Sequence, residues 1–341
     1  MSNIKQLIRP NILRMQQYSS ARDEFSGREG IFLDANENPF GKWNRYPDPV
    51  QDKLKQKLSY VKAVDPETLF LGNGSDEIID LCFRLFCEPG KDKALTFVPT
   101  YGMYQVSAAI NNTELLQLPL DENFQIDSES VLPLLDDQDL KLLFICSPNN
   151  PTGNSIDGIA FILENFKGIV IVDEAYIDFS KADSLAAKIR KYPNLIVLQT
   201  LSKAWGMAAL RIGVAIANPE IIAFLNKIKP PYNISQSNQD LAIPILNNPR
   251  NFENIKKIIL QQREILKRAL LKIDFIVKVY PSEANFLLIK VTDANAVYNH
   301  LIHHKIIIRN RDNALKNCLR ITIGTPEENS ALIATLRAIK L

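Results

Sequence analysis

The sequence predicts an α/β fold, with a large domain built on a mainly parallel central sheet and a smaller α/β domain nearer the C-terminus. Three observations support this prediction. Continuous apolar runs of strand length recur along the chain, amphipathic stretches of helix length separate them, and the pattern changes from about Gln236 onward. Alternation of strands with helices is typical of parallel sheets, because parallel neighbours need a long crossover that is usually helical.

Five apolar runs are predicted to be strands of the central sheet. They lack the alternation of polar and apolar residues that a half-exposed strand shows, which indicates burial on both faces. The runs cover 93–98, 140–146, 168–173, 194–199 and 211–217.

The C-terminal third has a different pattern, in which long helices precede shorter strands. The predicted order is helices over 238–246 and 250–273, strands over 275–280 and 285–290, and a closing helix over 326–340. The paired prolines within 228–235 would stop a helix and stiffen the connection. We therefore predict a large domain over 41–235 and a small domain, with an N-terminal arm, formed by 1–40 and 236–341.

The composition is that of a folded globular protein, and it argues against a disordered or a nucleic-acid-binding protein. The chain has 341 residues, of which 46% are hydrophobic and 23% charged, so intrinsic disorder is not expected. Forty basic and 38 acidic side chains leave a net charge of +2. No basic cluster is interleaved with aromatic residues, so we expect no nucleic-acid partner.

Cysteine usage and the N-terminus predict a cytoplasmic protein without a membrane anchor. No apolar stretch is long enough to span a bilayer, and the first residues contain no uninterrupted apolar segment of a signal peptide. The cysteines form no CxxC pair and lie mostly in apolar surroundings, which indicates reduced thiols. They are Cys82, Cys87, Cys146 and Cys318. The histidines at 300, 303 and 304 have no Cys or carboxylate cluster nearby, so no metal site is predicted.

Four polar clusters mark a candidate site. Three of them follow predicted strands, as "SPNNPTG" over 147–153, "DEAY" over 173–176 and "TLSK" over 200–203, and "GNGSDEIID" over 72–80 opens a helix. Functional groups of open α/β sheets gather at the carboxyl ends of the strands, so these clusters are expected to meet.

Lys203 and Asp173 are the most informative residues of these clusters. Lys203 precedes the run "AWGMAALRIG", and an amine held among apolar neighbours has a lowered pKa and becomes nucleophilic. Asp173 ends a very apolar strand, where an ionised carboxylate needs a cationic partner. The helix that begins near Ser75 would offer backbone N–H groups to a phosphate.

The order and spacing of these motifs resemble the fold-type I pyridoxal-phosphate aminotransferases. The matching set is "SPNNPTG", "DEAY", "SKAWGMAALRIG" and the arginine of "LRITIGT". Within that superfamily, "YSSARDEFSG", "LDANENPFG", "RYPDP" and "GNGSDE" are similar to the histidinol-phosphate aminotransferase family of class II. The resemblance runs from about Arg14 to the C-terminus, and threonine-phosphate decarboxylases share part of the N-terminal motifs.

The resemblance implies pyridoxal 5'-phosphate as cofactor and assigns its surroundings residue by residue. Lys203 would hold the cofactor as a Schiff base and then act as general base, and Asp173 would pair with the pyridine nitrogen. Asn150 and Tyr176 would hydrogen-bond the phenolic oxygen, and Tyr101 would stack on the ring. The cofactor phosphate would be held by the Ser75 and Asp76 backbone amides with Thr200, Ser202, Arg211 and, from the other subunit, Tyr46. A homodimer follows from that last role.

The same resemblance implies small-molecule substrates, histidinol phosphate and the pair glutamate and 2-oxoglutarate. Arg320 would grip the α-carboxylate of glutamate, and Tyr18, Arg309 and Arg320 match the positions at which the family binds the substrate phosphate. The segment "IIIRNRDN" leaves open whether Arg309 or Arg311 points inward, and we favour Arg309 because it directly ends the apolar strand.

Three other functions compete with histidinol-phosphate transamination. A threonine-phosphate decarboxylase would use the same cofactor, and an aromatic aminotransferase would place a phenyl ring where the imidazole binds. A pyridoxal-phosphate-binding domain of a transcription regulator would need a DNA-binding module ahead of the fold. Tyr18 already belongs to the aminotransferase pattern, so we expect no such module.

Overall fold

The computed structural model describes residues 4–16, 18 and 30–339. Within these residues the α-helices are α1 (Ile4–Leu7), α2 (Pro10–Arg14), α3 (Asp52–Lys62), α4 (Ser75–Phe86), α5 (Met103–Ile110), α6 (Ser128–Val131), α7 (Ile159–Asn165), α8 (Pro219–Ile228), α9 (Gln236–Leu246), α10 (Pro249–Leu270), α11 (Ala294–His303) and α12 (Pro326–Arg337).

The strands form two separate sheets. The first comprises β1 (Leu69–Asn73), β2 (Lys93–Val98), β3 (Glu114–Pro119), β4 (Leu140–Cys146), β5 (Ile169–Asp173), β6 (Leu195–Thr200) and β7 (Ile212–Ala217). The second comprises β8 (Ile276–Val279), β9 (Phe286–Val291), β10 (Arg309–Asn310) and β11 (Cys318–Thr322).

The larger sheet has the strand order β1-β7-β6-β5-β4-β2-β3 and is mainly parallel. Strand β7 is the exception, since it runs antiparallel to both of its neighbours, β1 and β6. The predicted mainly parallel sheet is therefore confirmed, and the strands predicted at 93–98 and 140–146 have the predicted bounds. The prediction did not include β1 or β3.

Two apolar layers cover the larger sheet. One contains Leu54 of α3, Ile162 of α7 and Leu246 of α9, and the other contains Phe83 of α4 and Leu225 of α8. All are nearly inaccessible to solvent, as the near-continuous apolar strands require. The carboxyl ends of the parallel strands are thereby left as the place where polar groups can meet.

The smaller sheet is antiparallel, in the order β10-β11-β9-β8, and packs through its own apolar cluster on α10, α11 and α12. The start of the chain packs elsewhere, because Ile4 and Ile8 join the layer of α4 and α8 on the larger sheet. The domain boundaries that the sequence suggests stay a prediction.

No helix in the described part of the chain is long and apolar enough to cross a membrane. The four cysteines are free and buried.

Candidate active site

A cavity of about 560 Å³ opens at the carboxyl ends of β4, β5 and β6, between them and the start of α4. The hairpin of β10 and β11 from the smaller sheet forms one of its walls. Of the predicted site residues, the cavity wall includes Ser75, Asp76, Tyr101, Asn150, Asp173, Tyr176, Thr200, Ser202, Lys203, Arg211, Arg309 and Arg320. Motifs that are far apart in the sequence thus meet in one place.

The first turn of α4 lines the cavity and presents backbone N–H groups of the kind that can bind an anion, and we call this turn the anion seat. Gly74 caps the helix with φ +78°, and its N–H donates to the Arg211 carbonyl at 2.8 Å. A Cβ atom on Gly74 would lie 2.5 Å from Nη2 of Arg211, and one on Gly213 would lie 2.4 Å from the Ser75 nitrogen. Glycine at both positions therefore lets the guanidinium and strand β7 approach the free N–H groups of the helix.

Asp76 links the seat to the aromatic wall. Its Oδ1 accepts a hydrogen bond from the Tyr101 hydroxyl at 2.9 Å, and its Oδ2 lies 3.4 Å from Nη2 of Arg211. Burial and the neighbouring Asp76 charge raise the pKa of Tyr101, so that the phenol stays protonated. Tyr101 is thereby held in a fixed orientation at the cavity wall.

Asp173 ends β5 and is almost completely buried. Its Oδ2 accepts a hydrogen bond from the Tyr104 hydroxyl at 2.8 Å, and its Oδ1 accepts one from the Ala175 N–H at 3.1 Å. Burial raises the pKa of Asp173 to about 6, although these two hydrogen bonds oppose the shift. A cationic group brought into the cavity beside the carboxylate would favour its ionised form.

Lys203 follows β6 and is open to the cavity, with its Nζ 5.7 Å from the ring centre of Tyr176. Its side chain is accessible from the cavity, yet the surrounding protein desolvates it. Burial and then the charge of Arg320 lower the pKa of Lys203, while Asp173 and Asp76 oppose that change. A lowered pKa increases the fraction of neutral amine, which is the nucleophilic form.

Arg320 lies on β11, in the part of the cavity wall that the β10–β11 hairpin forms. Its Nη1 donates to Oδ1 of Asn150, and its Cζ lies 5.3 Å from the ring centre of Phe286. Tyr176 packs edge-on against the same Phe286 ring at 5.1 Å. The guanidinium is therefore oriented by two elements, the loop after β4 and strand β9.

Two predicted residues lie outside this cavity. Tyr18 is exposed, and Tyr46 stacks on Tyr232 at a ring distance of 4.5 Å in a separate groove. The structure of one chain therefore does not bring these two residues to the others, and their roles stay predictions.

The sequence analysis did not include Tyr104, and it left Arg311 as the alternative to the favoured Arg309. Tyr104, the second residue of α5, lies three positions after Tyr101 and donates a hydrogen bond to Asp173, and this three-residue spacing was the available signal. Arg311 lines the cavity together with Arg309, so both arginines of "IIIRNRDN" face inward. The two-residue period of an extended chain was the signal there.

The cavity combines an anion seat, an accessible amine, a buried carboxylate and a second cationic end. A matching family model, aminotransferase class I and II, covers residues 28–336. The chain belongs to this family.

The relatives indicate a particular member of it. The chain is 52% identical to the histidinol-phosphate aminotransferase of Parabacteroides distasonis, over 100% of both chains. It is 51% identical to the enzyme of the same name from Bacteroides thetaiotaomicron, over 99% of both chains. Among solved structures, the histidinol-phosphate aminotransferase of Clostridium acetobutylicum matches with a TM-score of 0.79 and 28% identity, covering 86% of this chain and 90% of the other.

Proposed function

We propose that the chain is a histidinol-phosphate aminotransferase that uses pyridoxal 5'-phosphate. It would transfer an amino group reversibly between L-histidinol phosphate and 2-oxoglutarate, giving imidazole acetol phosphate and L-glutamate, in L-histidine biosynthesis. One structural observation supports the proposal independently of the family relationship. Lys203 lies in a single cavity that has an anion seat at α4 and an arginine set on the β10–β11 hairpin. A phosphorylated cofactor and a phosphorylated substrate together need two such anion sites.

The residues present fit the cofactor. The α4 seat, whose glycines leave no room for a Cβ, would take its phosphate with Thr200, Ser202 and Arg211. Bound there, pyridoxal 5'-phosphate supplies a carbonyl carbon that takes up the amino group and a ring that accepts electrons from the substrate. Asn150 and Tyr176 would hydrogen-bond its phenolic oxygen, and Tyr101 would cover one ring face.

Asp173 and Lys203 perform the proton chemistry in this proposal. Asp173, already hydrogen-bonded on both oxygens, would hold a proton on the pyridine nitrogen through a charge-assisted contact. Lys203 would first bind the cofactor and then, once released, remove the proton from the substrate Cα. The lowered pKa of Lys203 suits that second role, because a general base must be neutral at the operating pH.

Arg320 and Arg309 provide the substrate end. Arg320 is positioned by Asn150 and Phe286 and would bind the α-carboxylate of glutamate and the phosphate of histidinol phosphate in turn. Arg309 would contact only the phosphate. Tyr18 would add a hydroxyl to the same group.

The proposed enzyme is a cytoplasmic homodimer in which Tyr46 completes the cofactor phosphate site of the partner chain. This role is supported by the position of Tyr46, which is half-exposed and outside the cavity of its own chain.

A panel of amino donors with 2-oxoglutarate tests the proposal. We expect fastest transfer from histidinol phosphate, with imidazole acetol phosphate and glutamate as products. Faster transfer from phenylalanine would replace the proposal with an aromatic aminotransferase. Release of carbon dioxide from phosphothreonine, without glutamate formation, would replace it with a decarboxylase.

A further inference from the structure

Three arginines lie on one face of the β10–β11 hairpin. Arg309 pairs directly with Arg320 across the two strands, and the pairing continues beyond β10 because the Arg311 N–H donates to the Cys318 carbonyl at 3.0 Å. Residues two apart in an extended chain point to the same side, so Arg311 shares the face of Arg309.

Asn310, between these arginines, marks the opposite face. Its amide donates to Oδ1 of Asn295 in α11 at 2.8 Å, away from the cavity. All three arginine side chains line the cavity instead. In the described structure the Nε atoms of Arg311 and Arg320 are buried and have no hydrogen-bond partner.

The three guanidiniums have no acidic partner in the described part of the chain, where none of them forms an ion pair. Burial, followed by the charges of Arg320 and Arg309, lowers the pKa of Arg311. Like charges placed opposite one another on a sheet destabilise it. The cluster therefore favours an anion that several guanidiniums can bind together.

We propose that Arg311 is a specificity-determining residue that binds the substrate phosphate together with Arg309 and Arg320, an inference that rests on the proposed function. A phosphate monoester carries a charge of about −1.5 to −2 at pH 7 and three acceptor oxygens, more than one carboxylate offers. The guanidinium groups of the three arginines together match those oxygens, whereas the α-carboxylate of glutamate needs only the guanidinium of Arg320.

An alternative role for Arg311 is an ion pair across the adjoining groove, which is also lined by Asp121 and Glu122. Such a pair would make Arg311 a structural residue. Its loss would then lower stability without distinguishing one substrate from the other, which the experiment can detect.

The experiment compares Arg311→Gln with wild type, each loaded with cofactor, in the two half-reactions measured separately. We expect kcat/KM for histidinol phosphate to fall about ten- to a hundredfold, as the loss of one charge-assisted hydrogen bond predicts. The kcat/KM values for glutamate and for dephosphorylated histidinol should stay within about twofold of wild type, because neither substrate uses the Arg311 guanidinium. Equal losses for all three substrates, or no loss for histidinol phosphate, would overturn the inference.

Two further variants keep the result interpretable. Lys316→Gln removes one positive charge from an exposed side chain of the same turn and should leave the half-reactions unchanged. Arg311→Lys keeps the charge and the apolar stem but not the planar fork, and should recover part of the loss. A Lys316→Gln effect as large as that of Arg311→Gln would mean that net charge alone matters and would overturn the inference.

Binding of inorganic phosphate gives a readout that does not depend on turnover. In the loaded enzyme the α4 seat holds the cofactor, so added phosphate reports on the arginine cluster. Calorimetry should show weaker phosphate binding by Arg311→Gln than by wild type, and unchanged binding would count against the role. Wild type that does not transaminate histidinol phosphate would instead refute the proposed function.

Discussion

The Tyr104 hydroxyl donates a hydrogen bond to Oδ2 of Asp173 at 2.8 Å, and both residues are buried. The ring of Tyr104 also stacks on Phe144 at 4.9 Å, so its hydroxyl is fixed in place by packing. Tyr104 is thus a positioning residue for the carboxylate that we assign to the cofactor nitrogen.

Tyr104→Phe should destabilise the cofactor-free protein by about 1.5–3 kcal/mol at pH 8, because it removes a hydrogen bond to a buried charge while keeping the ring. The loss should be smaller at pH 5, since Asp173, with a pKa of about 6, is then mostly protonated. Urea unfolding at both pH values measures the difference. Tyr192→Phe is the matched control, because Tyr192 donates at the same distance, 2.8 Å, to the more exposed Glu164. An equal loss in the control would contradict the role of burial.

Asp173→Asn should have opposite effects on the free and the loaded protein. Because the folded-state pKa is raised from 3.8 to about 6, this carboxyl contributes most to stability below about pH 4 and loses that contribution as the pH rises through 6. At pH 8 the variant should therefore be more stable than wild type without cofactor, by up to about 3 kcal/mol. Loaded with cofactor it should be less stable and nearly inactive. Thermal melting with and without cofactor tests this, and a variant that loses stability in both forms would refute it.

Lys203→Ala should abolish turnover, because it removes both the covalent link to the cofactor and the general base. Hydride reduction followed by peptide mapping of wild type should find the cofactor on Lys203. Lys62→Ala provides a comparison, since Lys62 is a mostly buried lysine that pairs with Asp178. Wild-type turnover in Lys203→Ala, or cofactor attached to another lysine, would contradict the assignment of Lys203 as the cofactor-binding residue.

Arg320→Ala should impair both half-reactions, whereas Arg309→Ala should weaken histidinol phosphate and spare glutamate. Loss of one charge-assisted contact costs about 2–5 kcal/mol where the partner charge stays buried and unpaired. Single-turnover absorbance measurements separate the two half-reactions. Equal damage to both by Arg309→Ala would make Arg309 a structural arginine.

Tyr46→Phe should loosen cofactor binding by about 1.5–3 kcal/mol, the contribution of one hydrogen bond to a charged group. Cofactor titration of the variant measures this loss, and sedimentation of wild type checks the dimer. A fully active wild-type monomer would exclude a contribution from the partner chain.

The sequence predicts the strands whose apolar run is long and buried on both faces, but not β1, whose buried apolar run is short. Strands β2 and β4 lie between two apolar layers, so their residues form continuous apolar runs with clear ends. Strand β3 lies at the sheet edge, is partly exposed and has no such run. The antiparallel direction of β7 could not be predicted from the sequence, because an antiparallel strand buried on both faces has the same apolar composition as a parallel one.

The site was predictable as a set of motifs but not in its internal contacts. Tyr101 and Tyr104 are one turn apart, and only the packed structure distinguishes the tyrosine that meets Asp76 from the one that meets Asp173. The sequence presents Arg309 and Arg311 as alternatives, although residues two apart in an extended segment share a face. Their common orientation depends on the pairing of β10 with β11, which covers only two residues and has no sequence signature.

The antiparallel strand β7 also aligns two segments of chain that lead into the cavity. Gly213 on β7 is paired with Gly72 of β1 on one side and with Thr200 of β6 on the other. Ser75 and Lys203 each lie three residues beyond those partners. Backbone hydrogen bonds through β7 therefore fix the register of the two segments that lead into Ser75 and Lys203. A change in the pairing of β7 would shift the start of α4 against the Lys203 segment, so the alignment of these two parts of the cavity depends on the sheet before it depends on any single side chain.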